Sequence, residues 1–371
     1  MSNKQPIELS PPHFDTAFNE KMLLGLPSAI VSGFEDEVKR YVGRPYAVAL
    51  HSGTSAIHLA LKVLEIGRGD VVLCQSLTYV ATAFPILYEG AQPVFIDSEP
   101  GTGNMDPGLL EQAIEELLAK GQKPAALIFV HLYGIPAKAD KILSIAAKHN
   151  IPVIEDAAEA LGAEYHKTRC GNFGTVSILS FNSNKVITSG GGGMLLTAEK
   201  ELAGKALYFA KQAKDEGAVM NHRKVGYNYR MNHVNAALGS SQFTRLEERI
   251  RKRREIFEFY KESLGSLPGA SFLPEKPYSC SSRWLTTLFI DPTVTGGITR
   301  TRIQQALDIE NIESRPLWKP MHLQPVFKDA PAYINGISEK LFTQGLCLPS
   351  GPNLSPHDLD RISAVIKRVF N

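Results

Sequence analysis

The sequence has few cysteines, no long apolar run and little net charge, and each of these absences excludes a class of protein. The four cysteines lie far apart and form no CxxC pair, so we expect reduced thiols in a cytoplasmic protein, with neither a disulfide framework nor a metal site. No apolar run approaches the ~20 residues that span a bilayer, and the polar residues 1–15 lack signal-peptide character. A formal net charge of +2 gives no bulk field that would attract nucleic acid or a membrane surface.

The chain is long enough for two domains, and its larger part has the pattern of an α/β fold. At 371 residues, two domains are the expectation from length. Between residues 46 and 200, short apolar runs alternate with segments of helical period. The candidate strands are residues 47–50, 71–75, 94–97, 126–131, 151–155, 176–181 and 193–197. This alternation is typical of a mainly parallel sheet that is covered by helices on both faces.

The C-terminal part has a different organisation. Residues 232–264 predict one long helix or two helices in series. The basic cluster at 249–254 is interpreted as a solvated helix face interleaved with glutamates, and not as a polyanion site. Residues 265–282, which are rich in glycine, proline and serine, follow it. We therefore predict a large domain at 1–248 and a smaller α+β domain at 249–371.

A candidate anion site lies between the first predicted strand and the helix after it. Free backbone N–H groups at a helix start, together with the helix dipole, favour a phosphate there. Gly53 would let the phosphate approach the backbone, and Thr54 and Ser55 would add hydroxyl donors. A capped helix start without a ligand fits the same residues equally well, because serine and threonine are favoured at that position in any case.

Lys185 and Asp156 are the most informative residues, because both follow predicted strands. A lysine beyond one strand end can form a Schiff base, and an acid at another can hold a pyridinium nitrogen. Desolvation would lower the pKa of the lysine amine, which could then act as anchor and as acid–base. Together with a phosphate cradle, the two residues indicate a pyridoxal phosphate site. Asp156 could instead cap a helix beginning at Ala157, and the glycine tract 190–193 could instead form a tight turn.

Three further residues could complete the site. Glu159 lies three residues after Asp156 and could reach the hydroxyl of the cofactor ring, although a capping-box role fits almost as well. Tyr79 follows a strand end and could stack on the ring, but an aromatic residue at such a position more often packs in a core. Ser180 lies five residues before Lys185 and could donate to the phosphate.

Five motifs share a likeness to one family of enzymes. They are HSGTSAIHLAL from residue 51, SLTYVATA at 76–83, VIEDAAEALGA at 153–163, SFNSNK at 180–185 with its GGGGML tail, and VGYNYRMN at 225–232. Taken together they resemble the sugar aminotransferases of the DegT/DnrJ/EryC1/StrS group, within the fold type I pyridoxal phosphate enzymes. The resemblance extends from about residue 30 to 360. It implies a three-layer αβα fold around a mainly parallel central sheet.

The resemblance implies a role for each residue around the cofactor ring. Lys185 matches the Schiff-base lysine of the family, Asp156 matches the partner of the pyridinium nitrogen, and Tyr79 matches the aromatic residue stacked on the ring. Glu159 occupies a position where many members carry glutamine or histidine. A lysine at position 185 argues for transamination, since some relatives that replace it with histidine are dehydratases.

The resemblance also implies how the phosphate is held. Thr54, Ser55 and Ser180 match phosphate contacts of the family. Asn228, within the motif at 225–232, matches a residue that reaches the phosphate of the neighbouring subunit. The resemblance therefore implies a homodimer with shared active sites.

The family further implies the reaction. Its members transfer an amino group, usually from L-glutamate, to a nucleotide-linked keto-sugar, as in polysaccharide biosynthesis. Residues 315–324 look most like those of members that act on UDP-linked 4-keto-6-deoxy N-acetyl sugars, such as the enzymes of the bacillosamine pathway. Within this segment, His322 and Lys319 are candidates for contacting the nucleotide or the sugar.

Three other interpretations remain open. The substrate could be a GDP- or dTDP-linked keto-sugar, because related subgroups share similar segments. A non-catalytic regulatory protein that binds pyridoxal phosphate would carry the same site without the reaction. A nucleotide-binding oxidoreductase or dehydratase ranks last, since the tract 190–193 precedes a predicted strand whereas a dinucleotide fingerprint opens a helix.

Overall fold

A computed structural model describes residues 4–12 and 27–371. The first three residues and residues 13–26 lie outside this description, and with them lie parts of the polar segment 1–15 and of the predicted large domain. Among the described residues, no helix is both long and apolar enough to cross a lipid bilayer. All four cysteines are within the described residues and each is a free thiol.

The strands follow the predicted pattern of short apolar runs. They are β1 (Tyr46–Leu50), β2 (Val71–Gln75), β3 (Gln92–Ile96), β4 (Ala126–Val130), β5 (Val153–Asp156), β6 (Glu164–Tyr165), β7 (Thr168–Arg169), β8 (Val176–Ser180), β9 (Gly193–Thr197), β10 (Ala270–Phe272), β11 (Ser279–Cys280), β12 (Thr286–Ile290), β13 (Arg315–Pro316), β14 (Ala332–Tyr333) and β15 (Gly345–Leu348). Each predicted strand is present, and its ends lie within two residues of the predicted ends.

The helices begin in several cases at residues whose side chains cap the first turn. They are α1 (Pro27–Val42), α2 (Gly53–Val63), α3 (Val80–Tyr88), α4 (Pro107–Ala119), α5 (Ala139–Lys148), α6 (Lys200–Ala210), α7 (His233–Phe243), α8 (Leu246–Leu264), α9 (Arg300–Ile309), α10 (Ile337–Gln344) and α11 (Pro356–Phe370). Ser52, Asp106 and Ser355 accept hydrogen bonds from the first backbone N–H groups of α2, α4 and α11. These bonds satisfy donors that have no partner within the helix.

The largest sheet has eight strands in the order β1-β9-β8-β5-β4-β2-β3-β14. All neighbours from β8 to β14 pair in parallel, and β9 runs antiparallel to both β1 and β8. Strands β2, β4 and β8 are buried along their whole length, as expected when helices cover both faces of a parallel sheet. The parallel strands all end at one edge, and α/β folds bind ligands at that edge.

Alternate residues of the strands face two different layers of helices. Val72 and Ile128 belong to a core cluster with α2, α3 and α6, whereas Leu73 and Leu127 belong to a cluster with α4 and α5. Because successive side chains of a strand point to opposite faces, the two clusters lie on opposite sides of the sheet. The predicted α/β class with three αβα layers is confirmed.

A second, antiparallel sheet follows in the order β10-β12-β15-β13 and packs with α8, α9 and α11 in a core cluster of its own. A third, small sheet has the order β11-β6-β7. Backbone pairings that connect the N- and C-terminal parts include β14 with β3, β11 with β6, and the bridge from Ile7 to Ile312. The predicted division at residue 248 falls in the first turn of α8 and stays a prediction.

The packing of α8 contradicts one interpretation of the sequence. The predicted helical stretch at 232–264 consists of two helices in series, α7 and α8. Arg249 and Arg253 of the basic cluster are buried, and Arg253 donates to the carbonyl oxygens of Trp284 and Ser350 at 2.6 and 2.9 Å. Burial lowers the pKa of Arg253 to about 9. The solvated-face interpretation is wrong for these two arginines, because α8 packs that side against the protein core.

Candidate active site

A cavity of about 360 Å³ lies where the central strands end. Its wall includes Val130, Asp156 and Ser180, which are the last residues of β4, β5 and β8. The loops that follow β1 and β2 add further lining residues, and the glycine tract before β9 closes the same edge. The fold therefore brings segments that are far apart in the sequence together at the ligand-binding edge of the sheet.

The cavity collects most of the residues that the sequence singled out. The predicted residues that line it are Gly53, Thr54, Tyr79, Asp156, Glu159, Ser180 and Lys185. The predicted residues that do not line it are Ser55, Asn228, Lys319 and His322.

The start of α2 forms one end of the cavity. Gly193 packs closely against the backbone there. A Cβ atom on Gly193 would overlap the carbonyl group of Ser52 and the backbone nitrogen of Gly53. A Cβ atom on Gly53 would lie 3.2 Å from Cβ of Ser180. The glycine tract and Ser180 thus enclose the first N–H groups of α2, which carry the positive end of the helix dipole. We call this arrangement the cradle. Its backbone N–H donors are of the kind that bind phosphate, and the phosphate contacts predicted for Gly53, Thr54 and Ser180 stay predictions.

Ser55 takes part in capping the helix. The Ser52 side chain accepts from the Ser55 N–H at 3.1 Å, and the Ser55 hydroxyl donates to the Ser52 carbonyl at 2.8 Å. The alternative of a capped helix start is therefore present alongside the cradle. The phosphate contact predicted for Ser55 stays a prediction, with its buried hydroxyl already engaged in the cap.

Asp156 ends β5 as a buried carboxylate. Its Oδ2 accepts from the Thr82 hydroxyl at 2.8 Å, and its Oδ1 accepts from the Ala158 N–H at 3.1 Å. Burial raises the pKa of Asp156, while these two hydrogen bonds lower it. Residues 157–162 form turns, so the alternative that Asp156 caps a helix is wrong. A cationic partner in the cavity would compensate the cost of burying this carboxylate.

Lys185 projects into the cavity five residues beyond β8. Its Nζ lies 3.6 Å from Oε1 of Glu159 and 3.9 Å from the ring centroid of Trp284. Burial lowers the pKa of Lys185, and the carboxylates of Glu159 and Asp156 oppose that shift. A lowered pKa enlarges the fraction of neutral amine, which is the nucleophilic form.

Glu159 faces Lys185 from the turn after β5. Its Oε2 accepts from the Tyr133 N–H at 2.7 Å, and its Oε1 accepts from the Trp318 indole N–H at 3.2 Å. Burial raises the pKa of Glu159, and the Lys185 charge opposes the shift. Since no helix begins at residue 157, the capping-box alternative for Glu159 is wrong.

Two tryptophans form an aromatic wall that the sequence did not predict. Trp284 and Trp318 are the only tryptophans of the chain, and both line the cavity. Tyr79, with half of its surface exposed, lies 5.0 Å from the Trp318 ring. The segment 315–324 was the available signal, because it contains Trp318. The residues predicted from this segment were His322 and Lys319, whereas the Trp318 indole is the part that lines the cavity.

His322 and Lys319 lie outside the cavity wall. Lys319 is exposed, next to the inward-facing Trp318. His322 is hydrogen-bonded through Nδ1 to the Ser76 hydroxyl at 2.7 Å and lies 3.2 Å through Nε2 from Glu339. Their predicted substrate contacts stay predictions.

Asn228 is exposed and stands apart from the cavity of its own chain. It lies between Tyr227 and Tyr229, whose rings stack at 4.8 Å, and it bridges to Lys211. Two residues after Asn228, Arg230 forms an ion pair with Glu35. The contact predicted for Asn228 with the phosphate of a neighbouring subunit stays a prediction.

A buried cluster outside the cavity contains His131, Glu155 and Cys170, with candidate ligand atoms within 4.8 Å of one another. His131 donates from Nε2 to Glu155 at 2.9 Å and accepts at Nδ1 from the Ala137 N–H. Both oxygens of Glu155 also accept from the backbone N–H groups of residues 171 and 173. These bonds favour a structural hydrogen-bond network over a metal centre.

Comparison with known proteins identifies the family. A sequence profile of the DegT/DnrJ/EryC1/StrS aminotransferase family matches residues 25–367. The chain belongs to this family. The resemblance drawn from the motifs is confirmed, and so is the predicted aminotransferase activity.

Individual relatives extend over nearly the whole chain. EpsN of Bacillus subtilis, named as a pyridoxal phosphate-dependent aminotransferase, is 46% identical, with 98% of this chain and 96% of EpsN covered. GDP-perosamine synthase of Caulobacter vibrioides is 34% identical, with 100% of both chains covered. The solved PLP-form of the sugar aminotransferase Spr1654 from Streptococcus pneumoniae matches with a TM-score of 0.89 at 25% identity, over 99% of both chains. The predicted fold is confirmed, while the likeness to bacillosamine-pathway enzymes stays a prediction.

Proposed function

We propose that this aminotransferase moves an amino group from L-glutamate to the ketone of a nucleotide-linked 4-keto-6-deoxy sugar, with UDP as the nucleotide. One observation carries the proposal. The buried amine of Lys185 faces the buried carboxylates of Asp156 and Glu159 in a cavity that ends in a phosphate cradle.

Pyridoxal phosphate is the cofactor of this sugar aminotransferase, and the residues present fit it. Asp156 would hold the ring nitrogen, and Tyr79 would cover one ring face. Gly53, Thr54 and Ser180 would hold the phosphate at the start of α2. When bound, the cofactor supplies an electron sink that makes a proton on the substrate carbon removable. The glycine at position 193 lets β9 approach the start of α2 closely, and Gly53, Thr54 and Ser180 line the cavity there, which supports this assignment.

Lys185 is the catalytic residue of the proposal. Its Nζ would hold the cofactor covalently and, when free, would take a proton from one carbon and return it to another. Burial lowers the pKa of the amine, which enlarges the fraction of neutral Nζ that can accept a proton. Glu159, 3.6 Å away, would orient the amine and stabilise its protonated form.

The aromatic wall would bind the sugar. Trp318 offers apolar surface with its indole N–H already engaged by Glu159, which suits the apolar face of a deoxy sugar. Trp284 is fully buried and packs behind it against Lys185. His322 and Lys319, beyond this wall, would meet the nucleotide. The choice of UDP rests on the likeness of residues 315–324 to members that use UDP-sugars. The similarity to GDP-perosamine synthase makes a GDP-sugar the second candidate.

The active site would be completed by a second copy of the chain. In this proposal, Asn228 reaches the phosphate of the partner, because it is exposed and distant from its own cavity. Mixing Lys185→Ala subunits with Asn228→Ala subunits tests it. Shared sites predict that the mixture regains activity that both parents lack, and independent sites predict no recovery.

A panel of substrates tests the function itself. The protein is incubated with L-glutamate and UDP-, GDP- or dTDP-linked keto-sugars, and the products are identified by mass and NMR. We expect an amino sugar from the UDP-4-keto-6-deoxy substrate. Exclusive use of the GDP-sugar would overturn the choice of nucleotide. A non-catalytic binding protein would leave L-glutamate unconverted with every substrate, which would overturn the proposal as a whole.

A further inference from the structure

Tyr133 has an unusual backbone for a buried aromatic residue. It lies in a short 3-10 turn, Leu132–Gly134, directly after β4, with φ 54° and ψ 21°. This left-handed conformation is unfavourable for a residue with a side chain. The side chain is fully buried. Strained residues of this kind persist where the surrounding structure holds them, and they cluster at functional sites.

The strained backbone aims two polar groups of Tyr133 at the active site. Its N–H donates to Oε2 of Glu159 at 2.7 Å. Its hydroxyl accepts from the Trp318 backbone N–H at 2.8 Å. The Trp318 indole N–H donates to the other oxygen of Glu159 at 3.2 Å. Tyr133, Glu159 and Trp318 therefore form a closed ring of three hydrogen bonds that joins the large sheet to the segment after β13.

The ring of Tyr133 separates the two tryptophans of the cavity wall. Its centroid lies 6.2 Å from that of Trp284 and 6.1 Å from that of Trp318, with interplanar angles of 19° and 24°. Tyr133 is itself not among the cavity-lining residues. It can affect the site only through the residues that it touches.

We propose that Tyr133 is a positioning residue that fixes the Trp318 indole against Glu159 and thereby sets the placement of the Glu159 carboxylate beside Lys185. The inference rests on the proposed function only in taking this cavity as the active site. The tyrosine hydroxyl keeps its proton, because burial and the neighbouring Cys347 and Glu159 raise the pKa of Tyr133. It thus acts as a neutral anchor over the working pH range.

The first test uses the cofactor-free protein with Trp284→Phe, in which Trp318 is the single tryptophan. Tyr133→Phe removes one oxygen and keeps the ring. We expect acrylamide quenching of Trp318 fluorescence to rise about fivefold, the change that loss of the acceptor for the Trp318 N–H allows. The hydrogen bond between the Tyr133 hydroxyl and Cys347 is lost as well. The matched control is Tyr260→Phe, which removes a buried hydroxyl that donates to the Pro349 carbonyl at 2.9 Å. The control should leave quenching unchanged.

Quenching that is equal in Tyr133→Phe and in the control would overturn the proposal. Circular dichroism and thermal unfolding accompany the measurement. A positioning role predicts that Tyr133→Phe folds with stability close to that of Tyr260→Phe. A Tyr133→Phe protein that fails to fold would show a structural role and would also overturn the proposal.

The second test follows the pH dependence of Trp318 fluorescence in the same single-tryptophan protein. The ionisable groups facing Glu159 are Lys185, Asp156, Tyr133 and Cys347; burial raises the pKa of Cys347 to about 12, so its thiol stays neutral. We expect the Trp318 fluorescence to change in a step as Glu159 loses its proton with rising pH, and this step should be absent in Glu159→Gln. In Tyr133→Phe the step should move to higher pH, because Glu159 accepts a weaker indole hydrogen bond.

The proposal is contradicted if the step survives in Glu159→Gln, or if Tyr133→Phe leaves its midpoint in place. Both tests are made without cofactor or substrate. Their outcome is therefore independent of the sugar that the enzyme uses. If no sugar of the substrate panel is converted, the fluorescence results still test the role of Tyr133.

Discussion

Gly193 lies so close to Gly53 that the two backbones leave no room for a side chain at position 193. A Cβ atom on Gly193 would overlap the Gly53 nitrogen and the Ser52 carbonyl. The strand β9 and the start of α2 can therefore approach only because residue 193 has no side chain. This contact defines the end of the cavity where the phosphate is proposed to bind.

The first prediction concerns this contact. Gly193→Ala should destabilise the cofactor-free protein by about 3 kcal/mol and weaken pyridoxal phosphate binding, because backbone atoms must shift. Chemical unfolding and a cofactor titration measure the two effects. The control is Gly204→Ala in α6, where a Cβ would meet open space and stability should rise by up to about 1 kcal/mol. Equal behaviour of the two variants would contradict the close contact.

The second prediction concerns the cost of burying Asp156 without its partner. Asparagine can keep both hydrogen bonds, since Thr82 can accept from the new amide and donate to Thr78 at 2.8 Å. We therefore expect Asp156→Asn to stabilise the cofactor-free protein by about 1 kcal/mol at neutral pH, measured by thermal unfolding.

The pH dependence of this gain follows from the sign of the shift. The pKa of Asp156 is raised in the folded state, so the folded protein loses stability as the pH rises from about 3.9 through the folded pKa. The gain from Asp156→Asn should appear over this window and vanish at lower pH. A gain of the same size at every pH would contradict the account. In the holoenzyme, the same substitution should lower turnover by about 10²-fold.

Particular residues show which parts of the fold and of the site could be predicted from the sequence. The uniformly apolar β4 indicated a sheet covered on both sides, and Asp156 and Lys185 were identifiable because chemistry at strand ends follows from the fold class. Tyr133 and Trp318 were not identifiable, because the hydrogen bond between them joins positions that are 185 residues apart in the sequence. Arg253 was misjudged because a local charge pattern does not reveal which helix face packs against a second sheet.

The third prediction concerns the acidic neighbour of Lys185. The carboxylate of Glu159 raises the pKa of Lys185 against the effect of burial. Removing that charge in Glu159→Gln should lower the pKa of the amine further, so the acid limb of kcat for the L-glutamate half-reaction, in which the amine is free, should move to lower pH. The control is Glu89→Gln, which alters a carboxylate paired with His58 and Lys62. The expectation fails if the acid limb stays in place or moves to higher pH.

The fourth prediction separates the aromatic wall from the exposed lysine beside it. Trp318→Phe should raise KM for the keto-sugar about tenfold, since it removes the indole N–H and part of the apolar surface. Lys319→Ala should raise KM only for the nucleotide-linked sugar and leave the L-glutamate half-reaction unchanged. Steady-state kinetics with both substrates measure this. An unchanged KM for the keto-sugar in Trp318→Phe would show that the aromatic wall does not bind the sugar.

Borohydride reduction of the cofactor-loaded protein, followed by peptide mapping, tests the central claim most directly. The buried amine of Lys185 is placed to bond the cofactor covalently, and reduction makes that bond permanent. The account predicts a single modified peptide with the cofactor on residue 185, and no such peptide from Lys185→Ala. A modification on another lysine, or bound cofactor without any reducible bond, would contradict it.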